Sequence, residues 1–201
     1  MRSRDEARPD AARLVAGLPA AEGRERPPVD LWSPPFCGDL PMVIKRDGTW
    51  LYKGSPIARH RMVELFASIL RRDEDGRFYL VTPVEKCGIS VEDAPFLAVD
   101  CTVDGQGRAQ NVAFRTNVDD RVTMGAEHPL RVDIDPMTEE PSPYIHIRGR
   151  LEALIARPAF YDLVELGIVE RVEGEDKLGV WSAGMFFPIA PAVDLKSPHG
   201  E

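Results

Sequence analysis

A chain of 201 residues with 43% hydrophobic content has room for one large domain or two small ones and is too apolar for wholesale disorder. Its 25 Lys and Arg against 33 Asp and Glu leave a net charge of −8. Nucleic-acid phosphates and anionic membranes repel such a chain, and no Lys/Arg block, zinc-finger spacing or aromatic–basic RNA-binding signature offsets that, so both are excluded as partners. Cys37, Cys87 and Cys101 are an odd, scattered set that reads as reduced thiols. With no bilayer-length apolar run and no signal-peptide stretch, the expected location is the cytoplasm.

Residues 1–37 are rich in Ala, Arg and Pro. Asp10 to Ala16 can form a short helix, but Pro19, Pro27, Pro28, Pro34 and Pro35 break any regular element beyond it, so a loose arm is expected. A first domain spans 38–95. Met42 to Lys53 predicts a β-hairpin with a two-residue Asp47-Gly48 turn, a register that pairs Lys45 with Trp50 and Val43 with Tyr52. Ser55-Pro56 offers a helix start, and Met62, Val63, Leu65, Phe66, Ile69 and Leu70 form one apolar helical stripe that leaves Arg71 and Arg72 to water. Asp75-Gly76 turns into a strand from Phe78 to Val81.

A second, β-rich domain spans 96–192, with a tail at 193–201. Leu97, Val99, Cys101 and Val103 alternate as an inward face, and a Gly105–Gly107 loop leads to Val112, Phe114, Thr116 and Val118 with Arg115 and Asn117 on the other side. Further strands are expected at 122–124 and 130–134 and at 144–156, the last with a bend at Gly149. A helix runs from Pro158 to Leu166, and a strand pair lies around 179–182 and 185–188. Ile57-Ala58-Arg59 and Ile155-Ala156-Arg157 each lead into a helix and then an aromatic strand, which suggests a duplicated strand–helix–strand motif. The fold class is therefore α+β in two small domains.

No constellation for catalysis stands out. Glu85 and Glu92 are the carboxylates inside apolar stretches, and structural ion pairing is the simpler reading for both. Lys86 beside Cys87 would favour a thiolate, yet a packed thiol is the simpler expectation. The four histidines lie far apart with no metal-ligand spacing. What remains is a binding constellation. Arg115 and Asn117 alternate on one strand and His146 and Arg148 on another, so two guanidinium forks converge on an anion if the strands share a face. Trp50, Tyr52 and Trp181 offer stacking surfaces.

The stretch Leu80 to Asp100 (LVTPVEKCGISVEDAPFLAVD), with DGTWLYKGSPIAR (47–59), FRTN (114–117), RGRLEALIARPAFYDLVELG (148–167) and GVWSAGMFFP (179–188), resembles the bacterial domain-of-unknown-function family 1285. The resemblance implies two small domains built on a repeated motif, the second superficially like a pleckstrin-homology fold. It also implies a site for a nucleotide-like ligand between the domains and a role in signal transduction. The strands after Gly167 depart from a pleckstrin-homology barrel, which ends on its helix. The expectation is a non-enzymatic regulatory protein, without cofactor or metal, that binds a small anionic ligand through Trp50, Tyr52, Glu85, Lys86, Glu92, Arg115, Asn117, Arg148 and Trp181. The alternative is a module that meets a protein partner.

Overall fold

The computed structural model describes residues 10–16 and 26–191. Two compact units divide after Pro95, with 149–151 grouped in the first. Among the described residues no helix is long and apolar enough to cross a membrane.

The first unit contains α1 (Ala11–Ala16), a 3-10 turn (Val29–Leu31), β1 (Phe36–Ile44), β2 (Trp50–Tyr52), β3 (Ser55–Pro56), α2 (His60–Ser68), β4 (Leu70–Arg72), β5 (Phe78–Val81) and β6 (Lys86–Val91). The strands form one sheet in the order β3-β2-β1-β6-β5-β4. Two antiparallel meanders meet at its centre, where β1 and β6 run parallel. One face is the core. Ile44 opposes Trp50 and Leu80 opposes Cys87, all four are buried, and the Trp50 ring stacks on Phe66 of α2 with centroids 6.4 Å apart.

The second unit repeats this strand order. It contains β7 (Phe96–Asp104), β8 (Asn111–Thr116), β9 (Arg121–Thr123), β10 (Leu130–Ile134), β11 (Pro141–Arg148) and β12 (Leu151–Ile155). They run β10-β11-β12-β7-β8-β9, again with the first and last strands parallel at the centre. Then α3 (Arg157–Glu165) leads to a separate three-stranded antiparallel sheet of β13 (Ile168–Val172), β14 (Glu175–Ser182) and β15 (Met185–Pro191). The chain is thus mostly β, and its duplication is carried by the six-stranded sheets. The Ile-Ala-Arg echo marks something smaller. Both α2 and α3 precede a three-stranded meander, which joins the main sheet in the first unit and stands apart in the second.

Several sequence expectations shift by small steps that have large consequences. The first hairpin closes with a three-residue loop. Lys45 N–H donates to the Thr49 carbonyl at 2.9 Å and Gly48 N–H to the Lys45 carbonyl at 3.0 Å, while Gly48 takes φ 82. The Asp47 carboxylate accepts from Thr49 N–H at 2.9 Å. Asp75-Gly76 repeats the pattern, with Asp73 N–H on the Arg77 carbonyl, Gly76 N–H on the Asp73 carbonyl and the Asp75 carboxylate on Arg77 N–H. The extra loop residue moves the register by one, so Trp50 opposes Ile44 and not Lys45; a slip of one exchanges the faces of a strand.

Helix α2 starts at His60, because Ser55 and Pro56 pair with β2 as an edge strand. In β7 it is Phe96 and Ala98 that are buried, while Val99 and Val103 are exposed; a register shift between Ala98 and Asp100 breaks the alternation. The expected bend at Gly149 is a hairpin turn between neighbouring strands. The arm is less loose than expected where it is described: Ala11, Leu14 and Val29 are buried, and the Tyr52 hydroxyl donates to Asp10. Residues 1–9, 17–25 and the tail at 193–201 lie outside the described residues.

Phe66 is 1% exposed and stacked on Trp50, so Phe66→Ala removes both a large burial and a ring contact. Chemical denaturation is expected to show a loss of about 3–5 kcal/mol. A loss under about 1 kcal/mol would contradict this packing.

Candidate functional site

The second face of the first sheet is polar, and its register explains how. Arg71 opposes Tyr79, Tyr79 opposes Gly88, and Phe36 opposes Lys86, so these side chains share the side away from the core. Arg71 is the hub. Its Nη1 donates to the Val29 carbonyl at 2.7 Å and to the Trp32 carbonyl at 2.8 Å. Its Nε and Nη2 donate to the two oxygens of Asp73 at 2.6 and 3.3 Å, and Lys86 Nζ adds a third bond to Asp73 at 2.9 Å. Burial works against the charge of Asp73, but the bonds from Arg71 and Lys86 outweigh it and hold the carboxyl below its usual range.

Lys86 also lies 4.4 Å from the centre of the Tyr79 ring, whose hydroxyl donates to Asp75 at 2.6 Å. That bond, with the one from Arg77 N–H, lowers the Asp75 pKa; the same bond to Asp75, with burial, raises that of Tyr79. Gly88 is required here. A Cβ on it would sit 2.1 Å from the Asp39 carboxylate, which crosses the strand to take a 2.6 Å bond from Arg77.

Beside this network lies a cleft of ≈ 590 Å³, lined by Asp30, Trp32, Ser33, Arg71, Arg72, Asp73, Glu74, Asp75, Gly149 and Arg150. The hairpin turn at 149–151 that supplies Arg150 groups with the first unit. Arg150 pairs with Glu74 at 3.0 Å at the surface. Arg72 lies over the Phe78 ring at 5.2 Å and donates from Nε to the Gly76 carbonyl at 3.1 Å. Among the described residues it pairs with no carboxylate. Trp32 is half-buried, with its carbonyl fixed by Arg71.

The residues expected from sequence are placed differently. Trp50 is 2% exposed and has no face for a ligand, a consequence of the one-residue register change. Tyr52 is tied to Asp10. Glu85 is buried in a tight turn in which the Thr82 hydroxyl accepts from its N–H at 3.1 Å. Glu92 is a surface clip on the first hairpin, bonded to Lys45 Nζ at 2.6 Å and Arg46 N–H at 3.1 Å; the Lys45 bond lowers its pKa. Lys86 adjoins the cleft through Asp73.

In the second unit the two guanidinium forks do not converge. Arg115 opposes Asp100 and reaches Asp100 at 3.5 Å and Asp119 at 3.4 Å. Arg148 pairs with the largely buried Asp120 and lies over Phe96, whose strand-mate Ala98 opposes Thr116, on the face Arg115 does not share. Asn117 completes backbone pairing: its Oδ1 accepts from Leu97 N–H at 3.0 Å. Trp181 donates from Nε1 to Glu170 at 3.2 Å and is covered by Arg108. His146 directs Nδ1 to the Glu127 carbonyl.

Of the three thiols Cys87 is buried, and Cys37 and Cys101 are half-buried. Strand alternation puts buried Cys87 on the core face, opposite to Lys86. Burial, then the charges of Asp162 and Asp100, pushes Cys101 up to about 12.

Fold and cleft together define a two-domain, mostly β protein with a duplicated sheet and a small-molecule-sized, charge-lined cleft in its first unit. Residues 27–94 match "Domain of unknown function (DUF1285), N-terminal domain", and residues 95–189 match "Protein of unknown function (DUF1285), C-terminal domain". The chain belongs to the DUF1285 family. It is similar to a DUF1285 family protein from Silicibacter pomeroyi of known crystal structure, with 52% identity over 92% of this chain and 98% of that one and a TM-score of 0.81. A second crystal structure, of a DUF1285 family protein from Shewanella baltica, matches at 28% identity over 63% of this chain and 91% of that one, with a TM-score of 0.48. No curated protein matches.

The depressed pKa of Asp73 has a definite sign. Its folded-state value lies below the unfolded value of about 3.9, so its contribution to stability is present above that pH and is lost as pH falls through the folded value. Urea unfolding of wild type between pH 6 and pH 3 is expected to show a steeper acid loss than Asp73→Asn. Parallel curves would show that Asp73 is not held in its charged form.

Proposed function

We propose that this chain is a cytoplasmic, non-catalytic regulatory protein that binds a small anionic, nucleotide-like molecule in the cleft of its first unit, in the signalling role that the family resemblance implies. The observation that carries this reading is Arg72. It is stacked on Phe78 and bonded at Nε to the Gly76 carbonyl, so its fork is oriented in advance, and no carboxylate among the described residues takes its charge. Of the neighbouring acids, Asp73 is paired with Arg71 and Lys86 and so repels an incoming anion less, while Asp75 is engaged by the Tyr79 hydroxyl. A planar fork suits carboxylate or phosphate.

Arg150, whose pair with Glu74 is solvent-exposed, supplies a second cation at small cost. Trp32 supplies a stacking wall. The volume falls in the range of small-molecule sites, about 300–1,000 Å³. Binding is favoured over acid catalysis because donors hold Asp73 and Asp75 in the charged form, whereas a general acid needs a raised pKa. Three free cysteines suit a reducing compartment. The pleckstrin-homology likeness of the second unit stays part of this proposal and assigns no phosphoinositide.

The protein-partner alternative has its own support in Leu31 and Phe36, which are 81% and 51% exposed on either side of Trp32. Calorimetry with a panel of nucleoside monophosphates separates the two readings. Arg72→Ala is expected to weaken the best binder by about 1.5–3 kcal/mol, and Arg72→Lys to leave most of that loss in place. If no nucleotide binds, or if the Ala variant binds equally well, the partner reading replaces this one.

A further inference from the structure

Resting on the cleft proposed above, we infer that its ligand carries a cationic amine as well as its anionic group, and that Asp30 receives the amine. The cleft is lined by three guanidinium groups and four carboxylates, and most of them cancel locally. Arg71 and Lys86 take Asp73, Arg150 takes Glu74, and the Tyr79 hydroxyl takes Asp75. Asp75 keeps its charge under that neutral donor, whereas Arg72 and Asp30 are the cation and the carboxylate of the lining with no hydrogen bond or ion pair to another side chain among the described residues.

Asp30 is also held in place. It lies in the 3-10 turn Val29–Leu31, between the two residues, Val29 and Trp32, whose carbonyls Arg71 fixes. Val29 is buried beneath it. Its backbone therefore stays put whether or not the side chain has a partner, which is the preorganisation that makes a charged contact worthwhile. A purely anionic ligand on Arg72 leaves Asp30 as an unbalanced like charge in the same cleft, whereas a zwitterion satisfies both ends. Trp32, two residues from Asp30 and lining the same space, also attracts a cation through its ring face. The class of ligand is thus an amine-bearing phosphate or carboxylate.

The test uses the full chain and two matched sets of probes: O-phosphoethanolamine with ethyl phosphate and ethylamine, and 6-aminohexanoate with hexanoate and hexylamine. Binding is monitored by NMR titration. In at least one set the zwitterion is expected to bind about fivefold tighter than its own anion, as befits an exposed ion pair. Asp30→Asn is expected to abolish that advantage without weakening the anion. Asp30 is exposed, so the variant is expected to melt like wild type. Anions that bind as tightly as their zwitterions, or an advantage that survives Asp30→Asn, overturn the inference and leave the anion site standing. If neither anion nor zwitterion binds while the nucleotide panel also fails, the proposed cleft falls with it.

Discussion

The first unit depends on one guanidinium. Residues 27–35 include Pro27, Pro28, Pro34 and Pro35, which have no N–H to give to a ladder, so this stretch cannot be held as a strand. Its carbonyls still need donors. Arg71 on edge strand β4 provides two of them, to Val29 and Trp32, and its remaining donors bind Asp73. A proline-rich segment is thereby fastened against edge strand β4, and Trp32 and Asp30 are fixed as one wall of the cleft. Lys86 reinforces the arrangement from β6 by sharing Asp73. Loss of Arg71 removes the donor of the Trp32 carbonyl, while Val29 keeps the Trp32 N–H and Asp73 keeps Lys86; a group left buried and unpaired costs about 1–3 kcal/mol.

The elements of the fold were largely legible in the sequence, and register was the weak point. Phe66 and the part of its stripe up to Ser68, where the helix ends and Leu70 opens β4, the strand at Phe78 to Val81 and the inward face of Val112, Phe114 and Thr116 are all set by periodicity. The placement of Trp50 is not, because Asp-Gly serves two-residue and three-residue loops alike and the difference of one residue decides whether an indole faces core or water. The site was less legible for a related reason. Arg71 and Arg72 end an amphipathic run and look like solvated charge until β4 turns them toward Asp73 and Phe78. Trp32 and Asp30 lie in a stretch whose prolines read as a loose arm. The carbonyl partners that give Arg71 its role lie 39 and 42 residues away in sequence, and no local spacing reports such a contact. The Asp75-Gly76 turn was the one usable signal, since it places Arg72 and Asp73 at a hairpin end.

The duplicated sheet explains why resemblance between halves does not extend to the site. Both units use two meanders joined by parallel first and last strands. In the first, the helix lies between the meanders, and the turn after β4 carries the acids of the cleft. In the second, the helix comes after the sixth strand and leads into a separate meander, where Trp181 is already occupied by Glu170 and Arg108. Arg115 and Arg148 are each neutralised by nearby aspartates. The same scaffold thus has an uncommitted guanidinium in the first unit and paired ones at these positions in the second.

The claim that Arg71 holds the proline-rich segment in place is tested most directly by amide hydrogen exchange on Arg71→Ala. In the wild type, Leu31 N–H bonds to the Pro28 carbonyl and Trp32 N–H to the Val29 carbonyl. Both amides are expected to lose protection in the variant, while Leu80 in the neighbouring strand keeps its own. Protection at Leu31 and Trp32 equal to wild type would contradict it.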